Sequence, residues 1–380
     1  MLHRTAKPNR RRVLVCLLVL GLLLGLCACG REKEAGSRDS VSIWYRTGDP
    51  LAEELTALVH GYNRRLSPEL LPVTLRVFPD EESLAAAFET ARPDLLLCDH
   101  TRAMDLSARG LLRDMKGPLA GRVPAYPASL GEGFDGLGRS FFPLGIQVDL
   151  LYYRSDALPE GARDHWESLM GWAAAYGREQ RLPAFTAESF GDLFYLGLFA
   201  RGEEFHALRE RDLRGDAYRD FYNLVAESAY QGGLAVSRYA AADLVQSGYL
   251  PCALVRSGSL RGASFQGFAL SPAPETGETC PGECCGLAAM AREGRSTRSA
   301  AAFLQWLLEE GRMNALALDS GLVPPVAASP SRGGPLAELL TELSRTAVFH
   351  LPEGDGDYAK NRDAFEAAFR RDMGQFRNAD

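Results

Sequence analysis

After its first thirty residues the chain has no second long apolar run, no internal repeat and no Asn-x-Ser/Thr sequence. A helix needs about 20 apolar residues to cross a bilayer, so a bundle of several membrane-spanning helices is excluded. There is no His-Glu-x-x-His, and Ser257-Gly258-Ser259 lacks the glycine spacing of a nucleophile elbow, so neither common hydrolase signature is present. Positive charge is also scarce. Apart from the five basic residues near the start, 37 Lys and Arg stand against 49 Asp and Glu, a net charge of −12. Such a surface repels nucleic acid and anionic lipid headgroups, which argues against a DNA- or RNA-binding role.

What is present begins with the leader. Residues 13–29, VLVCLLVLGLLLGLCAC, follow Arg4, Lys7, Arg10, Arg11 and Arg12. The run suits a targeting segment better than a span, and Gly21, Gly25 and the closing Ala28-Cys29 argue against a plain transmembrane anchor. Leu26-Cys27-Ala28-Cys29-Gly30 resembles a bacterial lipoprotein signal, which implies a signal peptide over 1–28, cleavage before Cys29 and acylation of that cysteine. Cys27 is the poorer acceptor because bulky Leu26 precedes it. Residues 29–40 then read as the lipidated cysteine and a flexible tether, being small, charged and without apolar periodicity. The location expected is the extracytoplasmic face of a bacterial membrane, held by acyl chains and not by a basic patch.

About 350 of the 380 residues remain, more than one ordinary core holds and enough for two lobes. VSIWYR (41–46) suits a strand, and Gly48-Asp49-Pro50 opens a helix with Leu51, Leu55, Leu58 and Val59 on one face. PVTLRVF (72–78) alternates as a strand, and Asp80 is placed to cap a helix carrying Leu84, Ala87 and Phe88. DLLLCD (94–99) is continuously apolar, as in a buried parallel strand. This βαβαβ order predicts an α/β fold with helices on both faces of a mostly parallel sheet. Ligands of such sheets bind at the carboxyl ends of the strands. Here those ends carry Tyr45, Arg46 and Thr47, and Asp99 and His100.

Further on, helices are expected near 166–177, 190–200, 214–231, 239–247, 297–309 and 311–318. Strands are expected near 252–256, 266–270 and 286–291. A closing helix over about 357–376 sets Tyr358, Phe365, Phe369, Met373 and Phe376 on one stripe, as for a helix packed on a core.

Several segments, taken in order, resemble the extracellular solute-binding proteins of bacterial ABC importers, especially the carbohydrate-type family 1 lipoproteins. These are VSIWYRTGD at the start, PDLLLCD (93–99) with LSARGLLRDM (106–115), and FFPLGIQVDLLYYRSDAL (141–158). They continue with HWESL (165–169), LVQSGYLPCALVRSGSL (244–260) and SAAAFLQWLLEEGRMNALALDSGLVP (299–324). The resemblance implies a two-lobe periplasmic-binding-protein-like fold with a ligand cleft between lobes. The lobes would comprise 41–145 with 271–324, and 146–270 with 325–380. It also implies a receptor without enzymatic activity or cofactor, whose partners are a small polar solute, ABC permease subunits and the membrane through the lipid anchor.

Two departures bear on the solute. Leu260 follows Gly258-Ser259 where carbohydrate binders often carry Trp, and Glu283-Cys284-Cys285-Gly286-Leu287 lacks the usual aromatic. Sugar rings favour aromatic platforms, and Trp44, Tyr45, Phe141 and Phe142 are the candidate replacements. A sugar or oligosaccharide remains the favoured solute, with a peptide, polyamine or other small polar solute as alternatives. The expected ligand-binding residues are Tyr45, Arg46, Asp99, His100, Gln147, Ser257 and Ser259.

Gly131-Glu132-Gly133-Phe134-Asp135-Gly136 matches the dinucleotide fingerprint, yet follows no strand and opens no helix, so it reads as a loop. Five cysteines remain in the body, an odd number: Cys98, Cys252, Cys280, Cys284 and Cys285. The first two fall in apolar strands. Cys280 to Cys285 reads as a sulfur-dense turn with structural thiols, a disulfide or, less well supported by its spacing, a metal site. Two functions compete with transport: a sensor lipoprotein of the same fold signalling to a membrane partner, and a metal- or thiol-binding extracellular protein built on that turn.

Overall fold

The structure is a computed structural model that describes residues 39–122, 126, 137, 139–202, 215–276, 279–291, 296–329, 333–351 and 357–377. The leader, Cys29 and the tether as far as residue 38 lie outside the described residues, as does the Gly131–Gly136 motif. Among the described residues no helix is long and apolar enough to cross a membrane.

The first lobe follows the expected βαβαβ order. Strand β1 (Val41–Arg46) lies between parallel β2 (Val73–Phe78) and β3 (Leu95–Asp99). Helix α1 (Ala52–Asn63) follows β1 and buries Leu55 and Val59, with Leu51 just ahead of it. Asp80 caps α2 (Glu81–Thr90), its Oδ1 accepting from the Ser83 backbone N–H at 2.7 Å, and Ser83 completes a capping box. Asp99 caps α3 (His100–Ala108) in the same way.

Strand β4 (Phe141–Arg154) ties the lobes together. Its first part, Phe141–Val148, pairs antiparallel with β8 (Thr279–Ala289). Its second part, Asp149–Arg154, pairs with β6 (Cys252–Arg256) on one side and β7 (Phe268–Pro272) on the other. Both faces of β4 are covered, which is why the run is apolar throughout: Phe142 and Leu144 face one core, Leu151 and Tyr153 another, and Ile146, Leu150 and Tyr152 a third. Strand β8 returns along the same path and also pairs with β3, giving the order β2-β1-β3-β8-β4-β6-β5. A third connection crosses at Val323, whose backbone exchanges two hydrogen bonds with Ile146.

Helices α4 (Trp166–Gln180), α5 (Phe190–Phe199), α6 (Asp216–Tyr230) and α7 (Ala241–Gln246) belong to the second lobe, with short β5 (Phe185–Ala187) parallel to β6. Helices α8 (Ser296–Leu307) and α9 (Glu310–Asp319) return to the first lobe, adding Phe303, Leu304 and Met313 to the core beneath β1 and β3. The chain closes with α10 (Pro335–Thr346), β9 (Val348–His350) beside the start of β8, and α11 (Asp357–Arg377). The predicted stripe of α11 packs on the second lobe: Phe365, Phe369 and Met373 join Phe190, Phe194 and Phe221. Phe365 and Phe194 have ring centroids 4.1 Å apart. The Tyr358 and Phe376 side chains lie outside the described residues.

One expectation fails. Cys280 to Cys285 is not a turn but the interior of β8, in register with β4 and β9. Pro281 and Gly282 suggest a turn locally, but pairing on both sides extends them. The five body thiols are free, and Cys284 and Cys285 point into different cores on opposite faces of the sheet. No group of His, Cys, Asp and Glu among the described residues could hold a metal ion.

Candidate functional site

Where β4 and β8 cross between lobes, a cavity of about 290 Å³ opens to solvent. From the first lobe come the loop after β1, with Arg46, Gly48 and Asp49, and the end of β3, with Cys98 and Asp99. The crossing strands supply Gln147 and Glu283, which stand opposite each other in register. From the second lobe come Glu188 after β5, Arg256 at the end of β6, and Gly258 and Ser259 in the turn beyond it. These are largely carboxyl ends of strands, as the expected topology requires.

Local structure fixes most of these groups. Gly48 adopts φ +89°, which lets the chain reverse so that Asp49 Oδ2 accepts from the Arg46 backbone N–H at 2.7 Å. Burial raises the Asp49 pKa, only partly offset by that hydrogen bond and the Arg46 charge. Burial pushes Asp99 upward too, but hydrogen bonds from the Thr101 hydroxyl (2.5 Å) and the Arg102 N–H (2.8 Å) outweigh it, and its pKa is lowered. Glu188 accepts from the Arg256 N–H at 3.1 Å and from the Ser259 hydroxyl at 2.7 Å.

A recess of about 20 Å³ shares Gln147, Arg256 and Glu283 with this cavity and is walled also by Asp149 and Asp192. Arg256 donates through Nε (2.9 Å) and Nη2 (2.7 Å) to Asp192 Oδ2. Arg362 of α11 donates to Glu283 Oε1 at 2.6 Å and stands 3.7 Å from Asp192 Oδ1. Burial alone would ease the proton off Arg256, but Asp192, Glu283 and Asp149 hold it firmly charged. The Asp149 pKa is raised well above the usual range, first by burial and then by the Asp192 charge.

Of the seven residues expected to meet ligand, Arg46, Asp99, Gln147 and Ser259 line this cavity. Tyr45, His100 and Ser257 are not on its wall. Tyr45 packs against the core beneath β1, and His100 is buried with Nδ1 accepting from the Cys284 N–H at 3.3 Å. Ser257 is fully buried and its Oγ accepts from the Val148 N–H at 3.3 Å. Trp44, Phe141 and Phe142 are core residues, and no aromatic side chain of the described residues lines the cavity. The expectation missed Asp49, Glu188, Arg256 and Glu283. Asp49 and Arg256 were findable as residues at strand ends, whereas Glu188 follows a three-residue strand and Glu283 lay in the supposed turn.

Residues 80–336, more than half of the 380, match the family model of the bacterial extracellular solute-binding proteins. The chain belongs to this family. No curated protein matches the solute-binding protein in sequence. Among solved structures it is similar to maltose-bound MalE3 of T. maritima, at 16% identity and a TM-score of 0.68 over 89% of this chain and 95% of that one. It is also similar to UgpB from Mycobacterium tuberculosis in complex with glycerophosphocholine, at 20% identity and 0.66 over 89% and 96%. A third is the cyclic alpha-maltosyl-1,6-maltose binding protein from Arthrobacter globiformis, at 17% and 0.64 over 89% and 94%. The solute-binding protein therefore has the two-lobe α/β fold, with its cavity at the crossing between lobes.

Proposed function

We propose that this protein is a lipid-anchored extracytoplasmic receptor that delivers a small polar solute to an ABC import permease by hinge closure. The carrying observation is the cavity itself, built from polar strand ends of both lobes around the crossing strands. Closure of two lobes removes water from the solute, so a few directed hydrogen bonds set specificity. Because solute favours the closed form, loaded and empty protein differ in shape. The lobes would be 41–145 with 271–324, and 146–270 with 325–380. Acylation at Cys29 would keep the receptor near its permease at high local concentration.

A sugar or short oligosaccharide is the favoured solute, supported by family membership and by neighbours solved with maltose or named for a cyclic maltosyl sugar. Hydroxyl groups would be met by carboxylates and Gln147 rather than by stacking. Thermal-shift screening against sugars, oligosaccharides, amino acids, peptides and polyamines tests the reading. A ligand at 100-fold over its Kd adds about 2.7 kcal/mol. A shift confined to one solute class supports a receptor, and silence across all classes counts against it.

A further inference from the structure

Resting on that receptor reading, we propose that the recess at the cleft floor seats a primary ammonium group, so that the solute carries a protonated amine. Three observations lead there. The first is charge: the carboxyl groups of Asp149, Asp192 and Glu283 wall the recess, against the guanidinium groups of Arg256, also on the wall, and of Arg362, which reaches Glu283. One carboxyl group is left over on the recess wall.

The second is unmet hydrogen bonding. Asp192 is 4% exposed, and its Oδ1 receives no hydrogen bond among the described residues, with Arg362 Nη1 at 3.7 Å too far to donate one. The carboxyl group of half-buried Asp149 also receives none among the described residues. Both lie on the recess wall. A buried acceptor left without a donor costs about 1–3 kcal/mol, more when charged. A neutral sugar hydroxyl has one proton to give and leaves the charge excess standing. An ammonium has three N–H donors and a full positive charge.

The third is size. A recess of about 20 Å³ admits one water-sized group, for which about 10–15 Å³ suffices. A primary ammonium fits; a trimethylammonium does not. The recess shares Gln147, Arg256 and Glu283 with the main cavity, so the remainder of the solute would extend into about 290 Å³. That volume suits a monosaccharide or a short alkyl chain.

The amine could sit on a sugar or on an alkyl chain, and calorimetry on the full chain in detergent at pH 7 separates the two. Glucosamine is compared with glucose, and 1,4-diaminobutane with 1,4-butanediol and its bis-trimethylammonium analogue. The expected result is binding of one amine at least 10-fold tighter than its neutral and trimethylated counterparts, since charge-assisted bonds are worth about 1.5–3 kcal/mol. Tight glucosamine assigns the amine to a sugar, and tight diaminobutane to an alkyl chain. Asp149→Asn, on the recess wall, should weaken the amine at least 10-fold, with circular dichroism verifying the fold. Glucose or butanediol binding as tightly as its amine overturns the ammonium seat and leaves the receptor standing. No binding by any of these or by the wider panel overturns both.

Discussion

Arg261, just after β6, reaches across the cleft to Glu54 of α1, its Nη2 2.6 Å from Oε1; Nη1 lies 3.0 Å from Glu53 Oε2. Arg261 follows Leu260 of one core and Glu54 precedes Leu55 of another, so this latch links two separately packed parts of the chain. Both pairs face solvent, and exposed pairs contribute about 0.2–1 kcal/mol each. Arg261→Ala should therefore lower the closed-to-open ratio of the unliganded protein about two- to thirtyfold. Distance measurements between spin labels on the two lobes would show it, and high salt should reproduce the effect in the unaltered protein. An unchanged distance distribution would remove the latch from the account.

Gly286 faces Pro143 across the β4–β8 ladder, where a Cβ would stand 2.2 Å from the Phe142 carbonyl oxygen. That neighbour is backbone in the middle of a sheet and has nowhere to go. Gly286→Ala should cost about 3 kcal/mol or more. At Gly171, inside α4, a Cβ would meet nothing within 4 Å, so Gly171→Ala should stabilise by about 0.4–1 kcal/mol. Urea unfolding midpoints of the two variants should move in opposite directions.

The cysteines should be inert until the protein unfolds. Burial raises the pKa of all five body thiols, Cys280 to about 12 and Cys98 and Cys285 with added repulsion from neighbouring carboxylates. Only thiolate reacts readily with alkylating reagents. Iodoacetamide at pH 8 should leave Cys98, Cys252, Cys280, Cys284 and Cys285 unmodified in the native protein and modify all of them in guanidinium, as read by peptide mass spectrometry. Rapid native labelling at Cys284 or Cys285 would contradict their burial.

The first lobe was the more legible half because its periodicity and its topology agree. The predicted strands at 41–46, 72–78 and 94–99 lie within a residue of β1, β2 and β3, and Asp80 caps as its spacing suggested. What escaped notice is what only tertiary pairing creates. β5 and β9 are three residues each, too short to show a period, and β8 runs through Cys-Pro-Gly, which locally reads as a turn. The same limit applies to the cavity. Strand ends located Arg46 and Asp99, but Asp149, Asp192 and Glu283 meet only because β4, α5 and β8 converge, and nothing in their spacing announces it. His100 and Ser257 misled for the converse reason, since polar residues beside a cleft also serve backbone groups beneath it.

Asp149 gives the fold a pH dependence of definite sign. Burial and the Asp192 charge hold its folded pKa well above the ordinary value for an aspartate, to which it returns on unfolding. The folded state thus keeps the proton longer than the unfolded chain does. As pH rises from about 4, the reference value, through the folded pKa, the unfolded chain ionises first and Asp149 progressively subtracts from stability. The penalty is absent below that window and complete above it. Asp149→Asn removes the ionisation while keeping the shape, so its melting temperature should match that of the unaltered protein near pH 4 and exceed it at pH 8. Nearby Glu188, Asp192, Arg256 and Glu283 are common to both proteins, so the difference between the two melting curves isolates the single carboxyl. A gap that narrows with rising pH would mean that Asp149 is stabilised as a carboxylate, and the electrostatic account of the cleft floor would have to be reversed.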